Sequence, residues 1–199
     1  LYKYCSKTYN YEKLYDVAYN ATINLNSVID LNYYPTNETK RSNMKHRPIG
    51  LGIQGLANAL ADLRINFDSN ESLQFNSKMM ETIYFAALTA SNDISKKRLN
   101  GMKDLISFYN SKKGNLKIPK YYDSNKNPFP DDNLNKLYHE LKVHSFELDK
   151  ESDNTIGSYS SFKGSPVSKG ILQFDMWDKK ASNYDWDQLK NNIVEYGIR

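Results

Sequence analysis

The feature that most constrains this chain is the run from Asp68 to Ile94. There Leu73, Met80, Ile83, Tyr84, Ala87, Leu88 and Ile94 recur at the three- and four-residue steps of an amphipathic helix. Asp68 or Ser69 is placed to cap it, and Glu71 falls in the first turn, where a negative charge meets the positive end of the helix dipole. This is the strongest helix in the sequence, and its Met and aromatic residues read as core rather than as a cofactor box.

Other elements arrange themselves around it. A helix opening at Asn10 carries Leu14, Ala18, Ala21, Leu25 and Val28 inward and ends before Asn32-Tyr33-Tyr34-Pro35, because proline disfavours helical backbone in the residue ahead of it. Thr36 to Lys45 reads as a loop. Pro48 to Gln54 reads as a buried strand or tight turn leading into a helix from Leu56 to Arg64, with Gly50, Gly52 and Gly55 marking close backbone approach. Ser165-Pro166 is a helix opening, with Ser as cap and Pro at the first helical position. Ile171 to Trp177 supplies large apolar groups. A last helix over Asp185 to Tyr196 turns Trp186, Leu189, Ile193 and Val194 inward and is capped by Gly197.

Between these parts, Lys97 to Ser160 changes character. Gly114, Pro119, Pro128, Pro130 and Gly157 punctuate a stretch rich in Lys, Asn and Asp, read as an insert or long loop. It has room for short helices near Met102 to Tyr109 and Asp132 to Val143, the latter with Leu134, Leu137, Tyr138 and Leu141 on one face. The organisation expected is therefore a scaffold segment over 1–96, the insert over 97–160, and scaffold again over 161–199.

Composition narrows the class. Mean hydropathy is −0.74, yet aromatic residues make up 13% of the 199, which marks a folded chain with polar surfaces rather than a disordered one. The net charge of +4 is spread thinly, with short groups such as Lys96-Lys97-Arg98 and Lys112-Lys113, so it reads as solvated surface and not as a specific nucleic-acid site. No apolar run approaches the roughly 20 residues that span a bilayer. Cys5 is the only cysteine, which removes any internal disulfide and fits a reducing, cytoplasmic setting. The ends, Leu1 and Tyr196-Gly197-Ile198-Arg199, read as cut from a longer chain.

Three motifs invite chemistry. Gly50-x-Gly52-x-x-Gly55, with Asp68 downstream, matches the dinucleotide fingerprint, but the residues before it, Asn43-Met44-Lys45-His46-Arg47-Pro48, are no apolar strand. His139, Glu140 and His144 resemble a zinc-protease pair, but a spacing of five rotates the second histidine off the face of the first. Cys5 has no activating neighbour in sequence and reads as a plain, partly buried thiol. Residue chemistry alone ends at a helical or α/β domain.

Four stretches carry the reading further: DLNYYP from Asp30, HRPIGLGIQGLANAL from His46, ETIYFAALTAS from Glu81 and GSPVSKGILQFDMW from Gly164. Together and in this order they resemble the large, catalytic subunit of class I ribonucleotide reductase, and YDWDQLK and YGIR extend the likeness. The resemblance implies a mainly helical fragment of a ten-stranded α/β barrel carrying a long polar insert. It implies a parent enzyme that reduces ribonucleoside diphosphates to 2′-deoxyribonucleoside diphosphates by thiyl-radical chemistry for DNA precursor synthesis. The implied partners are a small subunit with a metal-radical centre, nucleoside triphosphate effectors, a thioredoxin- or glutaredoxin-type dithiol reductant and a second large subunit. In the family the HRPIG-to-QGLA segment is barrel scaffold and binds no dinucleotide.

Residue by residue, the resemblance assigns no catalytic, cofactor-binding or metal-ligating residue to this chain, and no cofactor to this piece. The family's Asn-x-Cys-x-Glu finger loop and one reducing cysteine fall before Leu1, its Pro-x-x-x-Ser phosphate-binding stretch falls after Arg199, and Cys5 aligns with neither cysteine. The chain departs from the family at Asn58, where Asp is common, and in the 97–160 insert. A second reading follows from those departures: an inactive reductase-like paralogue that binds or regulates a partner through the Lys-rich insert. Expressed alone, the piece is expected to be inactive, and aggregation-prone or loosely packed.

Overall fold

The computed structural model describes residues 8–111, 154–177 and 181–199, and these are mainly helical. Helix α1 spans Tyr11–Leu31, capped by Asn10, whose side chain accepts from the Lys13 N–H at 2.9 Å. Its buried stripe is Leu14, Ala18, Thr22, Asn26 and Ile29, one face at helical spacing. The hydropathy pattern placed Val28 inside, but Val28 is 53% exposed. The face is rotated because Thr22 and Asn26 can be buried at little cost. Thr22 Oγ1 donates to the Ala18 carbonyl at 2.8 Å, and Asn26 accepts from Arg47.

The expected loop from Thr36 to Lys45 is a helix, α2, over Asn37–His46. It buries nothing, so apolar periodicity could not reveal it. Local chemistry forms it: Thr36 and Thr39 close a reciprocal capping box, Glu38 sits in the first turn, and Lys45 and His46 in the last. Helix α3 covers Leu56–Leu63, opened by Gly55 at φ +81 and closed by Arg64 at φ +57.

Helix α4, Asn70–Ser111, is the spine, about 60 Å long at the ordinary helical rise. Ser69 is its cap, accepting from the Ser72 N–H at 3.2 Å. Its inward face differs in part from the expected one: Leu73 and Met80 are 67% and 44% exposed, whereas Phe75 and Met79 are buried with Ile83 and Leu88. The helix runs without a break through Lys97, so residues 97–111, expected to begin an insert, continue the spine. The Asp132-to-Val143 helix falls outside the described residues.

From residue 154 onward, single 3-10 turns at Asn154–Gly157, Pro166–Lys169 and Gln173–Trp177 precede helix α5, Trp186–Tyr196, capped by Asp185 and Gly197. Ser165 caps the second turn as its sequence predicts, accepting from the Ser168 N–H. Trp186, Leu189 and Ile193 are buried as expected, while Val194 is 45% exposed. Two cores form on α4. The first joins α1 and α3 through Leu14, Ala18, Leu60, Phe75, Met79 and Ile83. The second joins α5 and the turns through Leu88, Phe162, Leu172, Trp186, Leu189 and Ile193. Phe162 is 1% exposed, worth roughly 2–3 kcal/mol of apolar burial. No β-strand occurs among the described residues, so the α/β barrel expected from the resemblance is not visible among them.

Candidate functional site

The segment between α2 and α3 begins on an ionic clamp. Arg47 adopts a left-handed backbone, φ +46, which ends α2 and turns its side chain into the body of the fold. Its guanidinium meets Asp30 in a two-pronged pair at 2.7 and 2.8 Å, and donates to the Asn26 side chain (2.9 Å) and carbonyl (2.8 Å). The Arg47 side chain is 1% exposed and that of Asp30 34%. Beside it, His46 Nδ1 lies 2.7 Å from Ser161 Oγ, tying the segment to the stretch before Gly164.

Beyond the clamp, Pro48 to Gln54 is neither a strand nor buried. Ile49 and Ile53 are 40% and 39% exposed, and none of these residues makes a backbone hydrogen bond to another described residue. A Cβ built on Gly50 or Gly52 meets nothing within 4 Å, so the close approach expected there is absent among the described residues. Gly55 serves its conformation instead, at φ +81. The segment is a ridge between two open hollows. One, about 430 Å³, is lined by Leu14, Ala18, Leu51, Ile53, Leu56 and Met79, with Asn58 among its polar groups. The other, about 880 Å³, is walled by Ile49, Leu51, Met80, Tyr84, Phe174 and Trp177, with His46, Arg47, Glu81 and Arg199 among its polar groups. Leu51 and Ile83 line both.

Across the larger hollow, polar groups fasten α4 to the C-terminal segment. The Glu81 carboxylate accepts from the Trp186 indole N–H at 2.9 Å and from the backbone and side-chain N–H groups of Asn183. The Tyr184 hydroxyl donates to Thr82 Oγ1 at 2.8 Å. Burial pushes the Tyr84 phenol up, keeping it protonated in this apolar wall. At Asp175 partial burial acts upward but is outweighed by Lys190, 2.7 Å away, and by the Leu172 N–H, which hold the carboxyl below its usual range.

Set against the sequence motifs, the glycine triplet lies on the ridge, while Asp68 stands at the head of α4 and lines neither hollow. Cys5, His139, Glu140 and His144 fall outside the described residues. Among those described, no three His, Cys, Asp or Glu side chains gather as metal ligands would. The arrangement supplies shape and anchoring: an apolar trough, a ridge, and rigid attachments at both ends. Sequence reasoning missed Asn26, Asp30, Glu81, Ser91 and Asn92. A signal existed in the small polar run Ser91-Asn92-x-x-Ser95, which interrupts an otherwise apolar stripe.

Comparison with known proteins agrees with this scaffold. The family model for the ribonucleotide reductase barrel domain matches residues 1–199. The ribonucleoside-diphosphate reductase large chain 2 of Saccharomyces cerevisiae is 37% identical over 193 residues, covering 96% of this chain and 16% of the yeast protein. The large subunit of Dictyostelium discoideum is 38% identical over 192 residues, covering 96% and 15%. That of Caenorhabditis elegans is 35% identical over 194 residues, covering 97% and 17%. This chain therefore spans 15–17% of the length of these relatives. With its whole length matched by the family model, the chain belongs to the ribonucleotide reductase barrel-domain family.

Proposed function

We propose that this chain is a scaffold segment of the large subunit of a class I ribonucleotide reductase. In this reading the parent reduces ribonucleoside diphosphates to their 2′-deoxy forms by thiyl-radical chemistry, and the segment holds a catalytic finger loop before it and a phosphate-binding loop after it. The ridge is then one staff of a ten-stranded α/β barrel. The parent works in the cytoplasm with a radical-bearing small subunit, a thioredoxin- or glutaredoxin-type reductant, triphosphate effectors and a second large subunit.

One observation carries the reading. Within the family-like stretch from His46 to Leu60, Pro48 to Gln54 makes no backbone hydrogen bond to another described residue and has an apolar hollow on each side. Unpaired backbone flanked by exposed apolar surface is what a sheet element looks like when its neighbours lie elsewhere in the polypeptide. The test is to produce the full-length subunit with its small subunit, dithiol reductant and effectors, and to follow conversion of a ribonucleoside diphosphate. Deoxynucleotide formation is expected. A coding sequence upstream of Leu1 without Asn-x-Cys-x-Glu, or a fully assembled complex that forms no product, overturns the enzymatic part.

A further inference from the structure

Near its middle, α4 hides three small polar side chains: Ser91, Asn92 and Ser95, at 8%, 2% and 0% exposure. Buried polar groups need partners, and here the partners are carbonyls of one short stretch. Ser95 Oγ donates to the Tyr196 carbonyl at 2.6 Å, and Ser91 Oγ to that of Arg199 at 2.5 Å. The Asn92 amide donates to the carbonyls of Asn192 (3.1 Å) and Gly197 (2.7 Å). The Arg199 N–H returns to Ser91, 3.2 Å from its carbonyl and 3.0 Å from its Oγ. From another side the Tyr159 N–H donates to the Ile198 carbonyl at 3.0 Å. Four consecutive carbonyls, 196 to 199, are thus each held by a group from outside α5.

Ending a helix does not require this. The Gly197 N–H already closes α5 on the Ile193 carbonyl at 2.8 Å, and terminal carbonyls ordinarily turn to water. The additional bonds fix where the chain goes after the helix. Gly197 bends at φ +74, and a Cβ there would stand 2.6 Å from the Ser158 Cβ, so the bend is also sterically gated. Because the three side chains grip only main chain, they set the position of this stretch and not its sequence. Ser91, Tyr159, Ile198 and Arg199 all border the larger hollow, so this stretch is fixed along that edge.

We propose that Ser91, Asn92 and Ser95 are positioning residues of the reductase. They set the starting point of the polypeptide that follows Arg199 in the whole subunit, and through it the seat of the substrate's phosphate groups. The proposal rests on the functional reading above, in which a phosphate-binding stretch follows Arg199. None of the three touches substrate. The phosphates do not react, so a displaced seat weakens ground state and transition state alike and appears in KM before kcat.

The test uses the full-length subunit with its small subunit and compares Ser91→Ala, Asn92→Ala and, as a control on exposed α1 surface, Ser27→Ala. Each ladder variant is expected to raise KM for the nucleoside diphosphate about tenfold, as the loss of one or two buried hydrogen bonds allows, with kcat within about threefold of the parent. Amide exchange at Gly197 and Arg199 should quicken, Ser27→Ala should behave as the parent, and Ser91→Thr, which keeps the hydroxyl, should restore KM. Should Asn92→Ala fail to fold, Ser91→Ala, which removes a single hydroxyl, carries the test. Faster exchange at Arg199 with KM unmoved overturns the proposal, as does a fall in kcat at constant KM. An active parent with unmoved variants overturns this proposal alone, whereas an inactive parent overturns the functional reading and this proposal with it.

Discussion

The two ends of the larger hollow are finished to different degrees. On one side the stretch Tyr196 to Arg199 has each carbonyl taken, and Phe162, Leu172 and Ile193 beside it are at most 2% exposed. On the other, Pro48 to Gln54 has no backbone partner among the described residues, and Ile49, Ile53 and Met80 are about two-fifths exposed. Both regions adjoin a core, the ridge through Leu51 against the first and the C-terminal stretch through Ile198 against the second, so the difference is not one of distance from the core. It separates backbone and apolar surface that the described residues satisfy from backbone and apolar surface that they do not.

Amide exchange should show the contrast at its largest. In the 1–199 chain by itself, amides of residues 49–53 are expected to exchange almost as in an unfolded chain, whereas those of Gly197 and Arg199 should exchange markedly more slowly, since protected amides open only with a larger cooperative unit. Mass spectrometry of peptides from the two regions checks this. Equal protection would erase the distinction.

The ridge can be loosened further at its base. Asp30→Ala leaves the buried Arg47 guanidinium without its carboxylate, an uncompensated charge that costs about 3 kcal/mol, the low end of the range because Asp30 is itself partly exposed. Denaturant unfolding measures the loss, and a change under about 1 kcal/mol would mean that Asn26 alone suffices for Arg47. The finished side can be broken by a single methyl group. A Cβ on Gly157 would fall 2.0 Å from the Ser95 carbonyl oxygen and 2.9 Å from the Leu99 nitrogen, both backbone atoms of α4. Gly157→Ala should therefore cost about 2 kcal/mol by forcing the 154–157 turn off the helix. An unshifted unfolding midpoint would show that the turn has room to give.

How legible these regions were follows from what holds them. Caps were readable because their chemistry is local: Asn10, Ser165 and Gly197 all act as their neighbours predict. So was the inward placement of Trp186, Leu189 and Ile193, which burial alone decides. Helix α2 was not, because it has no apolar face and rests on a threonine pair. Nor was the burial of Asn26 on α1, or the Ser91-Asn92-Ser95 ladder, because these buried polar residues are permitted by partners distant in sequence. Arg47 lies 21 residues from Asn26, and Arg199 lies 108 from Ser91. The ridge was misread for the complementary reason. Its sequence has the composition of a buried strand, but the chain that would bury it is not among the described residues.

The smallest expected effect lies where α1 braces α4 between the two regions. The Tyr19 hydroxyl donates to Asp93 Oδ2 at 3.0 Å. Burial first, then this hydrogen bond and the Asp93 charge, push the Tyr19 phenol up from 10.0 to about 12. An unfolded chain loses that proton near 10.0, so between 10.0 and about 12 the folded chain binds more protons than the unfolded one, and stability must fall as pH rises. Below 10.0 the contribution is present in full. Tyr19→Phe removes the titrating group and should flatten the alkaline slope, while costing about 0.5 kcal/mol at neutral pH for an exposed hydrogen bond. Some slope should persist, because Tyr11 and Tyr84 are also raised, each chiefly by burial. Denaturant midpoints for parent and variant, taken at several pH values on both sides of 10.0, decide the matter. Parallel curves would mean that the Tyr19 to Asp93 contact does not persist in solution, and that α1 is held to α4 by its apolar stripe alone.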